Sequence, residues 1–160
     1  MDEIKINKIE TELPTWDLSE IYEDIEDPNI ESDIENIKNL STDFSTIWKG
    51  KIKDLKSLEF FDFIEKYQNI IETIYKISTH SNLIFATNME DPEISRYNSS
   101  VSDKLTEISS LLVFVTLELS KVDDETISEW TKSNVTSKWL PYLTISRKRN
   151  PYLLDPLVEE

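Results

Sequence analysis

The sequence contains no cysteine, one glycine (Gly50) and one histidine (His80). Without cysteine there is neither a disulfide nor a thiolate metal site, which agrees with a reducing cytosolic home. A single glycine leaves few positions for the left-handed backbone of tight turns. No Asn-Gly or Asp-Gly pair marks a hairpin either, so a many-turned β-sandwich is excluded. With His80 alone, an H-E-x-x-H zinc motif and any two-histidine metal site are impossible. Long apolar runs are missing as well. The longest cluster, 111–115, is far too short to cross a bilayer, and the first dozen residues alternate charge with isolated isoleucines rather than forming a signal peptide. The expectation is a soluble, cytoplasmic chain.

What the sequence has in excess is acid. Thirty-two Asp and Glu against 17 Lys and Arg give a formal net charge of −15, a field that repels nucleic acid and anionic membrane, so neither is an expected partner. The 160 residues suffice for one domain that buries roughly two thirds of its unfolded surface. Apolar residues recur at spacings of three and four, which predicts an all-α protein. Two patterns within 58–119 organise the chain. On the first limb Phe61, Ile64, Tyr67, Ile71, Ile74, Ser78, Ser81 and Phe85 share one helix face. On the second, Ile94, Tyr97, Val101, Leu105, Ile108, Leu112, Val115 and Leu119 do the same. The expected architecture is a helical bundle built on these two long antiparallel helices, with a third long helix and shorter C-terminal helices.

The remaining chain reads as packing around that hairpin. Residues 1–12 form an expected flexible lead-in, and the helical domain is assigned to 13–154. Within it, Leu13-Pro14-Thr15-Trp16-Asp17-Leu18-Ser19-Glu20-Ile21-Tyr22 is an apolar anchor. Asp27 as cap with Pro28 in the first turn starts the third long helix, whose stripe is Ile30, Ile34, Ile37, Leu40, Phe44, Ile47 and Trp48. Gly50 should end it in a left-handed cap, with Lys49 and Lys51 near the negative end of the helix dipole. Ser57 is expected to cap the first limb, and Asp91-Pro92 to start the second. Residues 111–117 are apolar all round, which implies more cover than one hairpin supplies. Asp123-Asp124-Glu125 opens a short helix with Ile127 and Trp130 inward, and a last pattern runs through Trp139, Leu140, Leu143 and Ile145. Asp155-Pro156 repeats the start signal, so 155–160 reads as the truncated start of another helix and the chain as the front part of something longer.

The residues offer little chemistry. His80 lies beside the first limb's apolar stripe, next to Thr79 and Ser81, as a structural histidine. The acidic runs 23–27 and 123–125 lack the EF-hand spacing and central glycine, and serve as helix starts and solvated loop. Arg147, Lys148 and Arg149 fit a helix C-terminus. Phe60, Phe61, Phe63, Tyr67 and Tyr75 fall at helical spacings, as core residues do. No catalytic, cofactor-binding or metal-ligating residue is assigned.

Five stretches in order carry a resemblance. They are residues 13–22; Trp48-Lys49-Gly50-Lys51; Leu83-Ile84-Phe85-Ala86-Thr87-Asn88 before Asp91-Pro92; Leu105-Thr106-Glu107-Ile108-Ser109-Ser110-Leu111; and Arg147-Lys148-Arg149-Asn150-Pro151-Tyr152-Leu153-Leu154. Together they resemble the amino-terminal region of oligoendopeptidase F, a zinc metallopeptidase similar to thimet oligopeptidase. The resemblance implies a helical domain that walls a deep cleft and restricts entry to short peptides. It places zinc and the H-E-x-x-H site in a downstream catalytic domain of the same polypeptide. No family catalytic residue falls in this chain, which is expected to be inactive alone. The alternative is a freestanding acidic helical interaction module that holds a partner helix in a groove.

Overall fold

The computed structural model describes residues 17–148, and among them there is no strand. Six α-helices follow one another: α1 (Pro28–Trp48), α2 (Ser57–Thr87), α3 (Pro92–Ser110), α4 (Val113–Ser120), α5 (Asp124–Trp130) and α6 (Leu140–Lys148). Short 3-10 turns at Ile52–Asp54 and Ser137–Trp139 join them. The protein is all-α, as its spacing predicts. The lead-in, Trp16, Arg149 and the Asp155-Pro156 signal lie outside the described residues.

The helix starts are where the sequence places them. Asp27 accepts hydrogen bonds from the Asn29 and Glu23 main-chain N–H groups at 2.8 and 2.9 Å. Asp91 accepts from Glu93 at 2.8 Å, and Asp123 from Thr126 at 2.8 Å. Each satisfies donors that the first helical turn leaves unpaired, worth about 1 kcal/mol apiece. Gly50 adopts φ 80°, the left-handed cap expected after α1. Lys51 Nζ donates to the Ile47 carbonyl at 2.7 Å, at the negative end of the dipole. Ser57 is not the cap of α2: Lys56 occupies that position, its N–H donating to Glu59 at 2.9 Å. The Ser57 hydroxyl instead donates to the Glu129 carbonyl at 3.3 Å, on α5.

Helix α2 forms the antiparallel hairpin with α3 and also packs on α1 and α5, so one buried stripe does not suffice for it. Ile64, Ile74 and Ser81 are buried as expected, but so are Phe60, Phe63, Ile70, Ile77 and His80. Phe61, placed inward by the single-stripe reading, is exposed at 37%. A helix enclosed by three neighbours buries more than half its circumference, and a stripe read as one line misses the second flank.

The second limb is not one helix. The helical path stops at Ser110 and resumes at Val113. At the joint the main-chain bonds shorten to i→i−3, with Leu111 N–H on Ile108 O at 3.1 Å and Leu112 N–H on Ser109 O at 3.0 Å. The Ser110 hydroxyl donates to the Glu107 carbonyl at 2.6 Å, a local competitor for the helical ladder. The joint lets α4 turn to pack against α6 and the Ile52–Asp54 turn. The cover that 111–117 requires beyond the hairpin comes from within the described residues. Leu112, Phe114, Val115 and Leu117 are all buried, with α4 packed against α6 and the Ile52–Asp54 turn and Phe114 against Phe44 of α1.

Two further stripes are narrower or rotated. On α1, Ile30, Ile34, Ile37 and Phe44 are buried together with Ser41, while Leu40 and Ile47 are exposed. On α6, Leu143 and Ser146 face inward whereas Leu140 and Ile145 face out.

Candidate functional site

The two ends of α2 carry the molecule's two distinctive clusters. Near its C-terminal end, His80 is 0% exposed. Its Nδ1 lies 3.2 Å from the Tyr97 hydroxyl of α3, while Nε2 has no hydrogen-bond partner. Tyr22, from the segment before α1, packs edge-on against the imidazole with centroids 5.2 Å apart. The Tyr22 hydroxyl donates to Asp33 Oδ2 at 2.7 Å. Lys76 Nζ donates to the same oxygen at 3.2 Å and sits 4.1 Å from the Tyr22 ring centre.

Burial pushes the His80 imidazole below its ordinary pKa, and Lys76 adds to that; the Tyr22 main chain and the Asp27 and Asp24 carboxylates push the other way. Burial also raises both tyrosines, Tyr97 to about 12 and Tyr22 further, with the Asp33 bond contributing. The cluster is therefore three neutral rings at pH 7 beside one committed ion pair. Next to it Asn98 Nδ2 donates to Ser81 Oγ at 3.1 Å and to Asn82 Oδ1 at 3.2 Å.

Near the N-terminal end the chemistry is apolar. Trp130 is 1% exposed, stacks on Phe60 at 4.3 Å with planes 4° apart, and donates from Nε1 to the Leu55 carbonyl at 2.8 Å. Over it lies a hollow of about 440 Å³ walled by Leu58, Phe61 and Val135. Leu58 and Val135 are exposed at 86% and 57%. Ser57, Glu129, Lys132 and Thr136 also line it.

The sequence candidates fall elsewhere. Asp24, Asp27 and Asp123 are spent on main-chain N–H groups, and Asp124 pairs with Arg147 across α5 and α6. Among the described residues no group of three or more His, Asp or Glu is placed to hold a metal. Phe60 and Phe63 are core residues, Tyr67 is half-buried and stacks on Phe63, and Tyr75 is exposed.

Sequence reasoning missed the partnership of Tyr22, Asp33 and Lys76, and the tether from Glu118. That carboxylate accepts from Gly50 N–H at 2.7 Å and Ile52 N–H at 3.2 Å, clasping the turn after α1. The His80–Tyr97 and Ser81–Asn98 pairs were within reach. Folding the two limbs antiparallel about the 88–91 turn sets these residues opposite one another. No family model, curated protein or solved structure matches the chain.

Proposed function

We propose that this chain is the helical amino-terminal domain of an oligoendopeptidase F-like zinc metallopeptidase, walling its substrate cleft and restricting entry to short peptides. The observation that carries the reading is where the resembling stretches sit. Of those inside the described residues, 17–22 forms the foot before α1, 48–51 the left-handed end of α1, 83–92 the turn between α2 and α3, 105–111 the joint before α4, and 147–148 the end of α6. Each reaches a joint, although 83–87 belong to the last turns of α2 and 105–110 to those of α3, and at a joint a side chain is chosen by the backbone path and by neighbours as well as by general apolarity. Similar joints in the same order imply a similar path of helices.

A wall excludes folded proteins by geometry alone. An extended peptide passes a narrow cleft, whereas a globular substrate must unfold at a cost of about 5–15 kcal/mol. In this reading the hollow over Trp130 is a place for the downstream catalytic domain to seat.

The freestanding interaction module draws on a different observation, that residues 111–117 are covered from within. Such a chain would stand alone and use the Leu58–Phe61 hollow for a partner helix.

Two measurements separate them. The purified chain with added Zn²⁺ is expected to cleave no peptide; zinc-dependent turnover would overturn the assignment. Reading the coding sequence past Glu160 is expected to reveal a continuing frame with H-E-x-x-H. A stop codon there, with no zinc peptidase co-purifying with the chain, would favour the module.

A further inference from the structure

We propose that His80 is the core of a pH-sensitive latch that holds the segment 17–27 on the helical body while its imidazole is neutral and releases it on acidification. The segment's own main-chain bonds are local, Ile21 and Tyr22 N–H both reaching back to Leu18 O, so its grip on the body comes from side chains, above all the buried Tyr22 with Ile21 packed against the core beside it. Tyr22 is 3% exposed and rests on three supports, the His80 ring, the Asp33 carboxylate and the Lys76 ammonium over its face. Of these the imidazole is the one whose charge changes near neutral pH.

The groups facing the imidazole decide what a second proton on the ring does there. From α3 comes Tyr97, whose hydroxyl is the side-chain group within hydrogen-bond distance of the ring and stays protonated far above neutrality. From α2 comes Lys76, a cation already engaged with Asp33. From α1 comes Asp33 itself, held by Tyr22 and Lys76. From the segment come Asp24 and Asp27, whose fields favour an imidazolium. Both are committed: Asp24 accepts from Glu26 N–H at 2.7 Å, and Asp27 caps α1 through Asn29 and holds Glu23 N–H.

Turning either carboxylate onto the ring would break a turn or a helix cap. An imidazolium in this site would thus be a buried cation facing a tyrosine hydroxyl and the Tyr22 main chain with no directly bonded anion, and the cost of burial outweighs what those neutral partners return. Exposing the ring to water relieves the cost, and the Tyr22 foot is the lid that must lift.

The sign follows from linkage. Because the closed-state pKa is depressed, the latch is at full strength above the imidazole's ordinary value near 6.5. It weakens as pH falls below that value, with the open population rising about tenfold per pH unit until the closed-state pKa is reached. This proposal is independent of the peptidase reading.

The test uses the full chain. Since His80 is the sole histidine, one imidazole proton resonance reports its titration without assignment. The expected result is a midpoint below 6.5. Hydrogen exchange, corrected for its intrinsic pH dependence, should lose protection in 18–29 between pH 7 and 5 while α2 and α3 keep theirs.

His80→Phe should abolish that pH dependence. Should it fail to fold, Tyr22→Phe, which keeps the ring and removes the Asp33 bond, should open the segment at higher pH than the parent. An ordinary midpoint with unchanged protection, the same acid opening in His80→Phe, or simultaneous loss of protection throughout α2 and α3 would each overturn the latch.

Discussion

The two ends of α2 solve the same problem with different chemistry. Around Phe60 the neighbours are aromatic, and the buried polar atom that must be satisfied, Trp130 Nε1, has a main-chain carbonyl at 2.8 Å. Around His80 the neighbours are also aromatic, yet one of two ring nitrogens is left without a partner. The first end buries no titratable side chain among the described residues. The second buries a group whose charge state lies within reach of physiological pH. What separates the two ends of the same helix is one buried ring that can change charge.

The sharpest way to break that contrast is Trp130→Ala. It removes the stacked ring from Phe60 and leaves the Leu55 carbonyl unpaired, and it should cost about 3–5 kcal/mol, read as a lowered denaturant midpoint with no dependence on pH between 5 and 8. A pH-dependent loss would erase the distinction between the ends. Tyr97→Phe is the matching change at the other end. It removes the hydroxyl 3.2 Å from the imidazole and should cost about 1–3 kcal/mol at pH 7.5; a neutral result in thermal melts would mean that the contact contributes nothing. Gly50→Ala lies at neither end and calibrates both. No atom lies within 4 Å of the added Cβ, so its cost is the backbone strain of φ 80° alone, about 1 kcal/mol. Melts of the three variants under one buffer place them in that order.

Much of the fold is legible in the sequence because its helix starts are local events. Asp27-Pro28, Asp91-Pro92 and Asp123 each signal a cap within four residues, and each is in place. Gly50 is legible for the same reason. The break at 111–112 is not, since no proline or glycine marks it; α4 turns there to meet α6 and the Ile52–Asp54 turn, residues far away in sequence. Phe61 against Phe60 fails likewise: adjacent positions on a helix are separated by 100°, and which faces inward depends on where α5 sits.

The polar cluster was half-legible. His80 against Tyr97 follows from the hairpin register, whereas Tyr22 enters from a segment whose route no periodicity records. Glu118 gave no signal at all, because a carboxylate on an apolar helix that caps a distant turn looks like any exposed glutamate.

The Glu118 clasp has a bearing on the order in which the molecule assembles. The end of α1 is fastened by a residue 68 positions later, and the Leu55 carbonyl that follows it by one 75 positions later. During synthesis the early helix, capped by its own neighbours, therefore leaves the ribosome before the α4 and α5 residues that fasten the turn behind it. Folding of the front of this chain waits on its back, and variants that weaken the clasp should slow the final closure more than the formation of the α2–α3 hairpin.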